Sequence, residues 1–172
     1  MPIFELREVI NFPSLNHVFG TLISEGGLHY LLERFSKKAT PIYEQIKLEV
    51  ASSPVIGSDE TGSKVNGDKH WFWTWQTPKH TFIAHSDNRS GNTINQLFAN
   101  GFPESTIVHD GWKPQINTIA KNHQSCIAHL LRILKYLNER YPESSWGLDF
   151  ITLLWDALDL KKPVSNRIGG ML

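Results

Sequence analysis

Apolar residues recur at helical spacing over the first third of the chain. From Leu15 to Val50 they return every three or four positions, which is the period of an amphipathic helix. Pro41 interrupts the run. Because the missing N–H of proline is harmless in the first turn of a helix, we expect Pro41 to start a second helix. Ser52-Ser53-Pro54 then ends a helical N-terminal segment over residues 1–53.

The middle of the chain changes to the two-residue period of strands. Val55–Ser58 is a short apolar run, tryptophans alternate with other residues over His70–Gln76, and Thr81–Ala84 is again β-prone. Asn66-Gly67 is the dipeptide most typical of a tight hairpin turn. These features predict a three-strand antiparallel meander.

Helices and strands alternate after the meander. The expected elements are a helix over Thr93–Ala99 capped by Ser90 or Asn92, a strand over Ser105–His109, a helix from Ile116 to Ala120, a short strand over Ser125–Ile127, and helices over Ala128–Asn138 and Ser145–Leu160. A meander followed by such alternation is the ribonuclease H-like order. We therefore predict an α/β fold, a mixed sheet flanked by helices over residues 54–160, with a loose tail over 161–172.

Composition narrows the class of protein. The 172 residues are enough for one sizeable domain. No apolar run approaches the roughly 18 residues that span a bilayer, and the N-terminus lacks the order of a signal peptide, so we expect an intracellular protein without membrane contact. The 17 basic and 17 acidic residues give no net charge, which counts against strong DNA binding through charge alone.

Two aspartates carry the main chemical hypothesis. Asp59 and Asp110 each end an apolar, β-prone run and have a glycine close behind. Aspartate beside glycine is common in ordinary turns. Two carboxylates at strand ends, however, are what a pair of metal ions needs for phosphoryl transfer. By strand alternation Glu60 and His109 should face the other way, so we treat them as secondary.

Several other side chains have both a functional and an ordinary interpretation. His129 and Arg132 share one helix face and could contact phosphate, although a solvated face has the same pattern. Lys64, Lys69, Lys79 and Arg89 lie in or near the turns of the meander, where they could touch phosphates or simply face solvent. Trp71, Trp73 and Trp75 could stack on bases, but we favour packing in the core. His123, Cys126 and His129 fit no zinc-ligand spacing.

The chain resembles the transposases of the bacterial insertion sequence sixty-six family. The resemblance rests on motifs that occur in the same order over roughly residues 24–140. They are Asp59-Glu60-Thr61-Gly62, Val65-Asn66-Gly67, His70-Trp71-Phe72-Trp73, His85-Ser86-Asp87-Asn88-Arg89, Val108-His109-Asp110-Gly111-Trp112, and the run from His123 to Arg132.

This resemblance implies a ribonuclease H-like catalytic core that cuts and joins DNA. Two magnesium or manganese ions would be held by three carboxylates, with Asp59 as the first and Asp110 as the second. His129 and Arg132 are the polar members of a family signature. The implied partners are transposon-end DNA and other transposase subunits, and the implied location is the bacterial cytoplasm with nucleoid association.

The resemblance is incomplete at the third acid. In the family, that glutamate lies beyond a helical insertion, and this sequence reaches no matching motif. Ile133 also stands where an aspartate often follows the arginine. We therefore expect an incomplete core that is inactive alone, with the two-ion site formed only in the complete protein. Two alternatives stay open: a non-catalytic, DNA-binding regulator, or a nuclease whose third acid is Glu139, Glu143, Asp149 or Asp156.

Overall fold

A five-stranded mixed sheet organises the protein, whose structure is a computed structural model that describes Gly20 and residues 23–160. The helices are α1 (Glu25–Ala51), α2 (Gly91–Leu97), α3 (Lys113–Ile116), α4 (Ile127–Arg140) and α5 (Trp146–Asp159). The strands are β1 (Val55–Val65), β2 (Asp68–Gln76), β3 (Thr81–Ser86), β4 (Phe102–His109) and β5 (Ala120–Ser125). The described residues form two compact units, one ending at Leu48 and the other starting at Glu49.

The strand order across the sheet is β3-β2-β1-β4-β5. The three strands β1, β2 and β3 pair antiparallel, whereas β1–β4 and β4–β5 pair parallel. The predicted meander and the α/β class are therefore confirmed, and the mixed sheet is consistent with a ribonuclease H-like arrangement. The tight turn also forms as expected, because Asn66 and Gly67 have φ of 53° and 89°, the positive values that a type I′ turn requires.

One face of the sheet forms the core of the unit that starts at Glu49. Trp73 and Trp75 are 0% and 1% exposed, and Trp75 packs against Phe82 and Phe98 with ring centroids 5.9 and 5.0 Å apart. Core packing of these two tryptophans is thus confirmed. We call this side the core face. Since directly paired residues of neighbouring strands point to the same side, the pairing of Glu60 with Trp73 puts Glu60 on the core face.

Three predictions about secondary structure are wrong. Helix α1 continues through Pro41, because the fixed φ of proline is itself helical and a 27-residue helix tolerates the loss of one internal hydrogen bond. The helix near Ile116 starts and ends earlier, as α3. The strand expected over Ser125–Ile127 comes earlier, as β5, and Ile127 already begins α4, because the polar side chains of β5 are exposed and give no apolar alternation by which to recognise the strand.

The strand that carries Asp59 is longer than the apolar run that predicts it. β1 continues to Val65 because β2 pairs with it along its whole second half, so Asp59 lies within the strand and not at its mouth. The predicted helix start at Leu15 and the tail over residues 161–172 lie outside the described residues. In the described part of the chain, no helix is both long and apolar enough to cross a membrane.

Candidate functional site

The parallel pairing of β1 with β4 brings the two aspartates to the same level of the sheet. Val55, Ile56 and Gly57 pair with Thr106, Ile107 and Val108, a constant offset of 51 residues. The same offset relates Asp59, two residues further along β1, to Asp110, the residue that directly follows β4. Because neighbouring strands lie about 4.8 Å apart, the two carboxylates come from adjacent positions where β4 ends.

Asp59 faces solvent beside the first turn of α4. Its side chain is 55% exposed, and its Oδ1 accepts a hydrogen bond from the Glu60 backbone N–H at 2.9 Å. The other carboxylate oxygen lies 3.9 Å from Nε2 of His129. His129 therefore lies beside Asp59, whereas Arg132 is exposed on the same helix and makes no hydrogen bond or ion pair with either aspartate.

Asp110 is more enclosed and is fixed by the turn that follows it. Its side chain is 24% exposed, and its Oδ1 accepts the Trp112 backbone N–H at 2.8 Å. Gly111 has a φ of 94°, a conformation that glycine adopts without strain, so the chain can turn sharply here. Oδ2 of Asp110 lies 3.9 Å from Nη2 of Arg89.

Glu60 is a member of this site that strand alternation alone treats as secondary. It does point away from Asp59, but its side chain is fully buried and forms an ion pair with Arg89. Arg89 donates from both Nε, at 2.7 Å, and Nη2 to the same Glu60 oxygen, and Gln115 donates from Nε2 to the other oxygen. Burial raises the pKa of Glu60, the hydrogen bond and charge of Arg89 oppose this rise, and the Asp110 charge adds to it.

Arg89 is held by two aromatic rings as well as by Glu60. Its guanidinium carbon lies 4.1 Å from the ring centroid of Trp112 and 5.0 Å from that of Trp71. Cations favour the faces of such rings. No short-range sequence pattern links Glu60 to Arg89, which is 29 positions away, so only the pairing of β1 with β2 and β3 could have revealed this contact.

A pair of histidines lies beneath the Asp110 turn. His109 is buried, and its Nδ1 accepts the Gly111 backbone N–H at 3.0 Å. In the neutral ring the proton therefore sits on Nε2, which faces Nδ1 of His123 at 3.0 Å. Burial lowers the pKa of His109, the neighbouring His123 lowers it further, and Asp110 opposes the effect. His109 thus supports the turn from the core face, as strand alternation predicts.

The remaining predicted residues lie apart from the acid pair. Lys64 is exposed near the end of the β1–β2 hairpin, opposite Lys69, whose ammonium lies 4.6 Å from the Trp71 ring centroid. Lys79 is exposed in the β2–β3 turn. Within Gly20 and residues 23–160, no three His, Cys, Asp or Glu side chains are grouped to hold a metal ion. Glu139, Glu143, Asp149 and Asp156 therefore complete no such group there.

The donor set at Asp59 and Asp110 nevertheless fits magnesium or manganese. Both ligands are carboxylates, the hard oxygen donors that these ions prefer, and both reach solvent. Magnesium commonly keeps several water ligands and uses one or two protein carboxylates together with substrate phosphates. Two adjacent aspartates can supply that protein share.

Two comparisons with known proteins bear on the family to which the chain belongs. A search of curated proteins found no match to the chain. The family model for the transposase IS66 family matches residues 14–165, which is most of the chain and includes both aspartates, Glu60 and Arg89. The chain therefore belongs to the transposase IS66 family.

Proposed function

We propose that this chain is a transposase catalytic-core segment in which Asp59 and Asp110 hold divalent metal ions for DNA strand cleavage and transfer. Membership of the family supports a transposase-related function. The main support for assigning the metal ions to Asp59 and Asp110 is the β1–β4 register, which relates the two aspartates by the same offset as the paired residues before them. Two independent turns would have no reason to share that offset.

The residues around the acids have distinct roles in this proposal. A pair of magnesium or manganese ions, when bound, would activate the attacking oxygen and stabilise the leaving oxygen. Asp59 contributes a carboxylate that is open to solvent and substrate. Asp110 contributes one whose orientation is fixed by the Trp112 N–H. His129, beside Asp59, can donate a hydrogen bond to a phosphate oxygen of the DNA.

DNA contacts are proposed for four side chains. Lys64 and Arg132 are exposed and can approach phosphates directly. His129 and Arg89 already lie beside carboxylates, so a phosphate would share them with Asp59 and with Glu60 and Asp110. With equal numbers of acidic and basic residues, these local contacts must provide the electrostatic attraction.

We expect the isolated chain to bind metal weakly and to cleave DNA poorly or not at all. Two carboxylates face the site in the described residues, whereas a two-ion centre shares more acidic ligands between its metals. A further carboxylate, from outside the described residues or from another subunit, would complete the two-ion site together with the DNA phosphates.

Manganese titration by calorimetry tests the acid pair. We expect measurable heats from the wild type and none from the double variant Asp59→Asn, Asp110→Asn. A matched control is Asp149→Asn, Asp156→Asn, which removes the same charge from α5 and should titrate like the wild type. Equal heats from the wild type and the Asp59, Asp110 variant would remove the metal site from the proposal.

A second candidate function is a non-catalytic regulator that binds DNA ends or complete transposase subunits. The zero net charge and the presence of only two site carboxylates in the described residues favour it. We would mix the chain with a complete transposase of the family and measure excision of a marked element. Inhibition that persists in the Asp59→Asn, Asp110→Asn variant would support this role, whereas neither inhibition nor co-purification would count against it.

A further inference from the structure

We propose that Arg89 is a positioning residue that holds a fixed positive charge against Asp110 and so keeps metal binding weak until DNA arrives. This inference rests on the proposed function, because it assumes that Asp110 is a metal ligand. It assigns to Glu60 the role of anchoring Arg89, and it makes metal and DNA binding depend on each other.

The first argument is the cost of the ion pair. The Glu60 side chain has no exposure, and Arg89 is 30% exposed. Removing a carboxylate from water is expensive, and a buried ion pair is often no more stabilising than apolar residues of the same volume. Stability alone therefore does not explain a charged pair at this place in the core, next to Asp59.

The second argument is that Arg89 cannot easily leave. Nε and Nη2 both bind Glu60, and Gln115, which is 1% exposed, occupies the second Glu60 oxygen. Trp71 and Trp112 lie against the guanidinium. Swinging Arg89 away would leave a buried carboxylate unpaired, a change that typically costs several kcal/mol. The guanidinium is thus a permanent part of the site.

The third argument is electrostatic. The Nη2 atom of Arg89 lies 3.9 Å from Oδ2 of Asp110, so a divalent cation on that carboxylate must bind against a nearby positive charge. A DNA phosphate reverses this balance, because its negative charge attracts both the guanidinium and the metal ion. Each ligand then improves the affinity for the other, as reciprocal linkage requires.

The test measures manganese affinity without DNA, using manganese alone as the probe and electron paramagnetic resonance of the free ion as the readout. Arg89→Gln should raise the affinity about tenfold, the effect of roughly one pK unit from a neighbouring charge. Glu60→Gln should lower it about threefold, because Arg89 then has Asp110 as its nearest carboxylate. Arg89→Lys keeps the charge and should stay close to the wild type.

Arg89→Gln and Glu60→Gln should thus change the manganese affinity in opposite directions, although the two residues form one ion pair. Structural damage to the site would instead weaken manganese binding in both variants. Arg140→Gln removes the same charge from an exposed position in the last turn of α4 and should change nothing. Near-ultraviolet circular dichroism, which reports on aromatic packing including that of the core residues Trp73 and Trp75, checks that each variant is folded. If Arg89→Gln does not fold, the inference is tested by whether Glu60→Gln binds manganese more weakly than the wild type.

Two results overturn the inference. The first is an unchanged or lower affinity in folded Arg89→Gln, and the second is an unchanged or higher affinity in folded Glu60→Gln. If wild-type manganese binding depends on Asp59 and Asp110 but not on Arg89, only this inference fails. If binding does not depend on the two aspartates, the proposed metal site fails and this inference fails with it.

Discussion

Replacing Asp59 by asparagine should make the metal-free protein more stable. Asp59 lies on β1 and Asp110 directly follows the neighbouring strand β4, with carboxylates about 4.8 Å apart if they follow the spacing of the backbones. At an effective dielectric constant of about 40–80, suited to a half-exposed pair, their repulsion is about 0.9–1.7 kcal/mol. Arg89 and dissolved salt screen part of it, which leaves about 0.5 kcal/mol.

Few favourable contacts are lost in this substitution. Asparagine keeps an oxygen that can accept the Glu60 N–H. The contact with His129 is long, at 3.9 Å, and Asp59 is largely exposed, so it contributes little. The substitution should therefore raise the free energy of unfolding by about 0.5 kcal/mol when metal is removed by a chelator.

Manganese should reverse the order of the two proteins. At about ten times its dissociation constant, a ligand that binds only the folded state adds about 1.4 kcal/mol. The wild type should gain this amount, and Asp59→Asn should gain almost none. Urea denaturation with chelator and with manganese measures both differences. A variant that is no more stable in chelator, or that gains as much from manganese as the wild type, would refute the adjacency of the two carboxylates or their role as ligands.

Two further predictions concern stability. Gly101→Ala should lower the free energy of unfolding by at least about 2 kcal/mol, because Gly101 has a φ of 60° and a Cβ there would lie 2.5 Å from the Ile119 carbonyl oxygen. Gly67→Ala is the control: Gly67 has a φ of 89° and open space around it, so this variant shows the backbone cost alone, about 1 kcal/mol. Equal losses of stability in the two variants, measured by urea denaturation, would contradict the clash with Ile119. Burial and the neighbouring His70 lower the pKa of His85, so as the pH falls below about 6.5 the unfolded chain binds this proton before the folded protein does and stability decreases. His85→Gln should therefore make the urea midpoint depend less on pH. An unchanged dependence would show that His85 does not contribute.

The meander was accessible from sequence because its patterns are local. Alternating tryptophans and an Asn-Gly turn specify strands and their reversal within a short stretch, and the structure shows both. The spacing of Asp59 and Asp110 also carried information, since it equals the offset of the parallel pairing. Sequence alone could not show that β1 and β4 are neighbours, because parallel pairing depends on the whole sheet.

The wrong predictions also arise because a local sequence pattern does not show which distant parts of the chain come into contact. β5 contains Lys121, Asn122, His123 and Gln124 and exposes all four, so it lacks the apolar period by which a strand is recognised. Glu60 was treated as secondary because alternation gives only the direction of a side chain. What lies in that direction, Arg89 and Gln115, comes from elements far along the chain.

The unequal lengths of the strands leave part of the sheet with open edges. β4 pairs with β1 only over Val55–Gly57, and β3 pairs with β2 only from Trp71 onward. The end of the β1–β2 hairpin, residues 63–65 paired with 68–70, is therefore a two-stranded ribbon with no further strand beside it in the described residues. Unpaired strand edges of this kind can pair with strands of other molecules. Lys64 and Lys69 lie opposite each other on this ribbon. Adding another copy would bring these charges together, so the two lysines protect the ribbon against edge-to-edge aggregation.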